Sequence, residues 1–131
     1  MKSTFDILTA IFKSVKPAFS GLISGNVYIG NPPTGDQLEN ITLNTLRNPS
    51  GYVQKGVLNA NIELMETEKG VANTRRFKEL LDILLPLMDD KAVFDTNITV
   101  HLSIEDDKGI FPVQDSTGKY LYNLRVEFTA L

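Results

Sequence analysis

A single α+β domain over residues 1–131 is the fold the sequence predicts: an antiparallel β-sheet with an N-terminal helix and one central amphipathic helix packed on one face. Three observations predict it. Long runs of alternating apolar and polar residues span Tyr52–Glu66, Asn97–Glu105 and Lys119–Leu131. A stripe of apolar residues at spacings of three and four marks Asn73–Met88 as a helix between them. The length of 131 residues matches one ordinary domain, and a hydrophobic content of 42% supplies a core that needs no disulfide or metal.

The first helix is predicted from Ser3 or Thr4 as cap, with Asp6 in the first turn near the positive end of the macrodipole. Phe5, Leu8, Phe12 and Val15 make its apolar stripe, and Pro17 stops it or starts a new turn. A short apolar stretch, Ala18–Ile23, ends at the turn Ser24-Gly25-Asn26. Val27–Gly30 reads as a short strand closed by the loop Asn31-Pro32-Pro33-Thr34-Gly35, where two prolines remove ladder donors.

Asn40–Leu46 alternates as a strand, and Asn48-Pro49-Ser50-Gly51 breaks it into a mobile loop. In Tyr52–Glu66, Leu58, Ala60, Ile62 and Leu64 face the core, while Asn59, Asn61 and Glu63 face water. Gly56 marks a bulge or bend. In the central helix Asn73 is the cap; Phe77, Leu80, Leu81, Leu84 and Met88 face inward, and Arg75, Arg76, Lys78, Glu79 and Asp82 outward. Pro86 kinks its last turn or ends it near Leu85, and Asp89-Asp90-Lys91 begins an exit loop. In Asn97–Glu105, Ile98, Val100, Leu102 and Ile104 point inward. Asp106-Asp107-Lys108-Gly109 is predicted as a hairpin turn, Ile110–Val113 as a short returning strand, and Asp115-Ser116-Thr117-Gly118 as the next turn.

Composition narrows function by exclusion. Zero cysteines rule out a disulfide framework, a thiolate zinc site and a cysteine nucleophile. A net charge of −3 argues against sequence-blind nucleic-acid binding, which needs clustered Lys and Arg. Asp6, Lys13, Lys16 and Pro17 interrupt any leader-like apolar core, and Ile83–Met88 is too short to span a bilayer. The Asn40 and Asn97 glycosylation-type triplets are therefore strand residues of a soluble intracellular product.

Reaction chemistry is sparse. His101, the only histidine, stands beside Ser103 and Glu105 along one strand face, which spreads the three groups apart instead of converging them. Glu105, Asp106, Asp107 and Asp115 cluster acids without the spacing of a calcium loop. Gly21, Gly25, Gly30 and Gly35 form no phosphate-binding motif and serve turns. Arg75, Arg76, Lys78 and Lys69 make the densest basic stretch, a solvated helix face or a surface for an acidic partner. No catalytic, cofactor-binding or metal-binding residue is assigned, and no cofactor is expected.

Val27-Tyr28-Ile29-Gly30 with its Pro-Thr-Gly loop, then Glu39–Leu46, Gln54-Lys55-Gly56, Asn59–Ile62 and Gly70-Val71-Ala72-Asn73, together resemble the tail-terminator group of tailed bacteriophages and prophages, also called tail-completion, head-tail joining or minor tail proteins. The likeness covers most of the chain and lies in element order and loop style. It implies a structural protein and not an enzyme. Such a protein self-associates into a ring, commonly a hexamer, and meets the tail tube and head-completion proteins. It is made in the host cytoplasm and carried in the virion tail, with no membrane and no specific nucleic-acid recognition.

The alternative is a small α+β ligand-binding or enzymatic domain, its pocket between the sheet and the N-terminal helix near Tyr28, Tyr52 or Tyr120. A deep polar pocket with a perturbed carboxylate would favour that reading. His101→Ala is expected to leave assembly and any activity nearly unchanged. Loss of function with an intact circular dichroism spectrum would show that this strand face is a site.

Overall fold

A computed structural model of the chain describes residues 1–114 and 116–131. Two helices, α1 (Thr4–Phe19) and α2 (Thr74–Met88), accompany six strands. The strands are β1 (Val27–Ile29), β2 (Asn40–Arg47), β3 (Gln54–Met65), β4 (Lys91–Asp95), β5 (Ile98–Pro112) and β6 (Lys119–Ala130). They form one curled sheet in the order β1-β2-β3-β6-β5-β4, antiparallel except for the parallel β1–β2 pair. This is the predicted α+β architecture. No described helix is long and apolar enough to cross a membrane.

Ser3 caps α1 in a closed box: its hydroxyl accepts from the Asp6 amide at 3.0 Å, and the Asp6 carboxylate accepts from the Ser3 amide at 2.9 Å. The buried stripe is Ile7, Leu8, Ile11, Val15 and Phe19, rotated from the predicted one, so Phe5 is 73% exposed. Pro17 does not end the helix. One lost hydrogen bond is outweighed by the burial of Phe19, the residue that two more helical positions deliver to the core. The central helix caps on Asn73 and buries the five predicted residues. It passes Pro86 and runs to Met88, also fully buried.

Both helices pack on the sheet face made by Ile41, Leu43, Leu58, Ala60, Ile62, Leu124, Val126, Phe128, Val100 and Leu102. The Arg76 guanidinium fastens the start of α2 to the start of β2. It reaches Glu39 at 2.7 and 2.9 Å, Glu79 at 3.0 Å and the Leu22 carbonyl at 2.5 Å. Arg76 is spent internally, and Arg75 and Lys78 pair along the helix with Glu79 and Asp82.

Two stretches correct the sequence reading. Lys91, expected to begin an exit loop with Asp89 and Asp90, opens strand β4, which turns back onto β5 through Asn97 at φ 59°. Asp106-Asp107-Lys108-Gly109 is not a hairpin turn: β5 continues through it with irregularities at Ile104/Asp106 and Asp107/Gly109. Gly109 takes φ 81°, which serves a bulge as well as it would a turn. The hairpin comes later, between Pro112 and Lys119, and Asp115, assigned there by sequence, lies outside the described residues.

Gly56 also has a different reason from the one expected. β3 pairs through it in regular register with Phe128, and the register shift lies on β2 between Thr45 and Arg47. A Cβ at Gly56 would sit 2.1 Å from the Arg47 carbonyl oxygen and 2.4 Å from the Phe128 ring. Gly56→Ala should therefore destabilise the protein by about 1–3 kcal/mol, the usual cost of overpacking. Urea denaturation provides the check, and an unchanged midpoint would refute the close approach.

Candidate functional site

The second face of the sheet carries no helix, yet it is not simply wet. The register aligns Thr42, Asn61 and Asn123 in one row, and Asn44, Asn59 and Arg125 in the next. Asn40, Thr42, Asn61 and Glu63 are buried, against the expectation that this face points into water. The asparagines satisfy one another. Asn59 donates to Asn44 at 3.1 Å, and Asn123 donates to Asn59 at 3.1 Å and to Asn61 at 2.6 Å. An amide both donates and accepts, so a ladder of amides closes without a counter-charge.

At one end of this face the Asn31–Gln37 loop rises over β3 and β6, and Ser116 and Thr117 form the facing wall. Between them lies an open cleft of about 560 Å³. Its floor holds Glu63, Met65 and Lys119, and the Lys119 ammonium lies 3.8 Å from Glu63 Oε1. These two side chains are only 10% and 9% exposed. Burial pushes the Glu63 carboxyl above its ordinary range; Lys119 and Thr42 pull it back, and the nearby Asp36 charge adds to the rise.

A second polar cluster stitches the chain start to β3. Gln54, fully buried, accepts from the Lys2 amide at 2.6 Å and donates to the Lys2 carbonyl at 2.9 Å and to Asn48 at 2.7 Å. One side chain thus supplies both halves of a backbone-like bridge. Tyr52 and Phe5 line two shallow clefts that meet at Lys2. Tyr52 is 95% exposed and Phe94, next to Asp95 of the same region, 75% exposed.

The residues weighed from sequence are dispersed. His101 partners the exposed Asp90, Nε2 to Oδ1 at 2.9 Å, and not a serine. Asp106 pairs with Lys108 at 3.3 Å. Asp107 accepts from the Gly109 amide at 3.2 Å and lies beside Tyr122, whose hydroxyl is pushed up to about 12 by burial and then by that carboxylate. Among the described residues no three metal-ligating side chains gather. The space between α1 and the sheet is filled by Ile7, Ile11, Val15 and Phe19, and the clefts beside the helix at Phe5 and near Tyr52 are open and shallow. Tyr28, Tyr52 and Tyr120 stand on β1, on the β2–β3 loop and on β6 without converging.

Glu63 and Lys119 were missed because strict alternation assigns Glu63 to solvent, and Lys119 merely follows a turn. The one available signal was a carboxylate in the stretch Val57–Met65, otherwise populated by amides and apolar residues. No protein-family model matches the chain, and no curated protein matches it at a significant level.

Because the folded protein holds the Glu63 proton more tightly than the unfolded chain, this group takes stability away as pH rises from about 4.5 through its folded pKa. Carboxyl-detected NMR titration should find it above 4.5, and Lys119→Met should raise it further by removing the nearest positive charge. A Glu63 pKa at or below 4.5, or one indifferent to Lys119→Met, would contradict the buried pair.

Proposed function

We propose that this chain is a structural assembly protein of a phage or prophage tail that self-associates into a ring, capping the tail tube or joining it to the head. The observation that carries the reading is a sheet with two dissimilar open edges. On one side β1 has no outer partner among the described residues. On the other, β4 pairs only with Ile98–Leu102, so β5 from Ser103 to Pro112, paired with β6 on its inner side, has no strand on its outer side among the described residues. Free edges template pairing with another chain. Opposite edges joined head to tail make a heterologous contact, which closes into a ring when the rotation between copies divides a full turn.

The overhang is guarded against indiscriminate pairing. It carries two irregularities, the acids Glu105, Asp106 and Asp107, and Pro112. Two of its amides have side-chain acceptors, Ile104 on Asp89 at 3.4 Å and Gly109 on Asp107 at 3.2 Å. Exposed Phe5, Tyr52 and Phe94 add apolar surface of the kind that subunit contacts use. The sheet and its edges act here by position, and no catalytic role is assigned.

Light scattering over a concentration series, alone and with purified tail tubes, tests this. Closed rings or binding to tube ends are expected. A monomer at every concentration that ignores tube ends would overturn the reading.

A further inference from the structure

The cleft under the Asn31–Gln37 loop is short of positive charge. Among the described residues its ionisable groups are Glu63 and Lys119 on the floor and Asp36 on the loop, two carboxylates against one ammonium. With all three ionised they leave one net negative charge. Glu63 feels the deficit: burial, with the Asp36 charge added, outweighs Lys119 and Thr42 and lifts its carboxyl above the ordinary range. Asp36 gives one oxygen to the Leu38 amide at 2.7 Å and has a second to offer. A single cation bound here is compensated, whereas an anion or a zwitterion leaves the negative charge of a poorly solvated floor unbalanced.

Lys119 constrains what else that cation carries. Its ammonium is only 9% exposed and stands 3.8 Å from Glu63 Oε1, an ion-pair distance beyond hydrogen-bond reach. Its N–H donors therefore need an acceptor that brings no second negative charge, and a neutral carbonyl meets that condition. The complement is a primary ammonium with an uncharged carbonyl oxygen close to it. The amino end of a peptide is built this way, its ammonium and first carbonyl both attached to the first Cα. The open volume of about 560 Å³ exceeds what those two groups need, and Pro32, Pro33, Met65 and Val113 give apolar wall for a side chain. We propose that this cleft captures the amino end of a peptide, its ammonium between Glu63 and Asp36, its first carbonyl oxygen on Lys119 Nζ, and its first side chain, an apolar one, against Met65 and Val113. The open side of the cleft lets the rest of the peptide leave. Ring formation plays no part in this.

Amide NMR titration of the full chain with L-leucyl-L-alanyl-L-alaninamide tests it. Three controls each change one feature: the N-acetylated tripeptide amide has no ammonium, 3-methylbutylamine has no carbonyl, and L-leucine adds a carboxylate. The tripeptide amide should shift the amides of Gly35, Asp36 and Thr117. Each control should bind roughly tenfold more weakly or worse, the scale of one lost charge-assisted hydrogen bond. Asp36→Asn keeps an acceptor for Leu38 but removes the charge, and it should weaken the tripeptide amide by a similar factor. In Lys119→Met the tripeptide amide should lose its advantage over 3-methylbutylamine, because the donor to its carbonyl is gone. Should Lys119→Met fail to fold, Asp36→Asn decides. Unmoved amides in the folded protein, any control equal to the tripeptide amide, or an Asp36→Asn variant that binds as well as the parent would each overturn the proposal. An advantage over 3-methylbutylamine that persists in folded Lys119→Met would do the same. None of these outcomes bears on the light-scattering result.

Discussion

Both helices of this protein lie on one face of its six-stranded sheet, and that one-sidedness governs the rest. The helix-bearing face takes nearly all the large apolar residues, from Ile41 on β2 to Val100 and Leu102 on β5. Each fully buried Leu, Ile or Phe is worth about 1.5–3 kcal/mol, so this layer is where the fold gets its stability. Details that look local follow from its closeness. Gly56 has no side chain because the Phe128 ring and the Arg47 carbonyl occupy the space where one would be. Pro17 and Pro86 are carried inside helices because Phe19 and Met88, just beyond them, are core residues.

The other face has to settle its own hydrogen bonds. Curling shields part of it without any covering helix, and an unsatisfied buried amide costs about 1–3 kcal/mol, while a typical bond made returns only about 1. Asparagines opposite one another meet this constraint, whereas carboxylates in the same rows would repel. The Asn44–Asn59–Asn123–Asn61 chain is that solution. It ends where the Asn31–Gln37 loop rises from the sheet, and there the face changes from paired amides to the loosely paired charges of Glu63 and Lys119. The place where the ladder stops is also the place where polar capacity remains for something outside the chain.

What was legible in the sequence was periodicity, and what was not was context. Strand β6, the inner half of β5 and the buried face of α2 follow from alternation and from threefold and fourfold spacing, and they stand where those patterns put them. Strand β4 has one buried apolar residue, Val93, too little for a pattern. The Asp-Asp-Lys-Gly stretch has turn composition, but Tyr122 beside Asp107 and the pairing with β6 hold it extended, a tertiary override of a local preference. Alternation also fails to distinguish outward from exposed. Glu63 and Asn61 fall at positions that read as solvent, and a curled sheet and an overarching loop bury them.

The same one-sided design bears on how copies of the chain could meet. If two β5 overhangs paired antiparallel with each other, Glu105, Asp106 and Asp107 of each would face the same acids, with only Lys108 on either side to offset them. Directly opposed like charges destabilise a strand pair, and the two irregularities break the even spacing that such pairing requires. A symmetric dimer through this edge is therefore disfavoured. The β1 edge, Val27-Tyr28-Ile29, carries no charge and offers the overhang no such repulsion. The repulsion that opposes pairing of one overhang with another is thus absent between the overhang and β1. Whether repetition then closes depends on the angle the curled sheet imposes between neighbours.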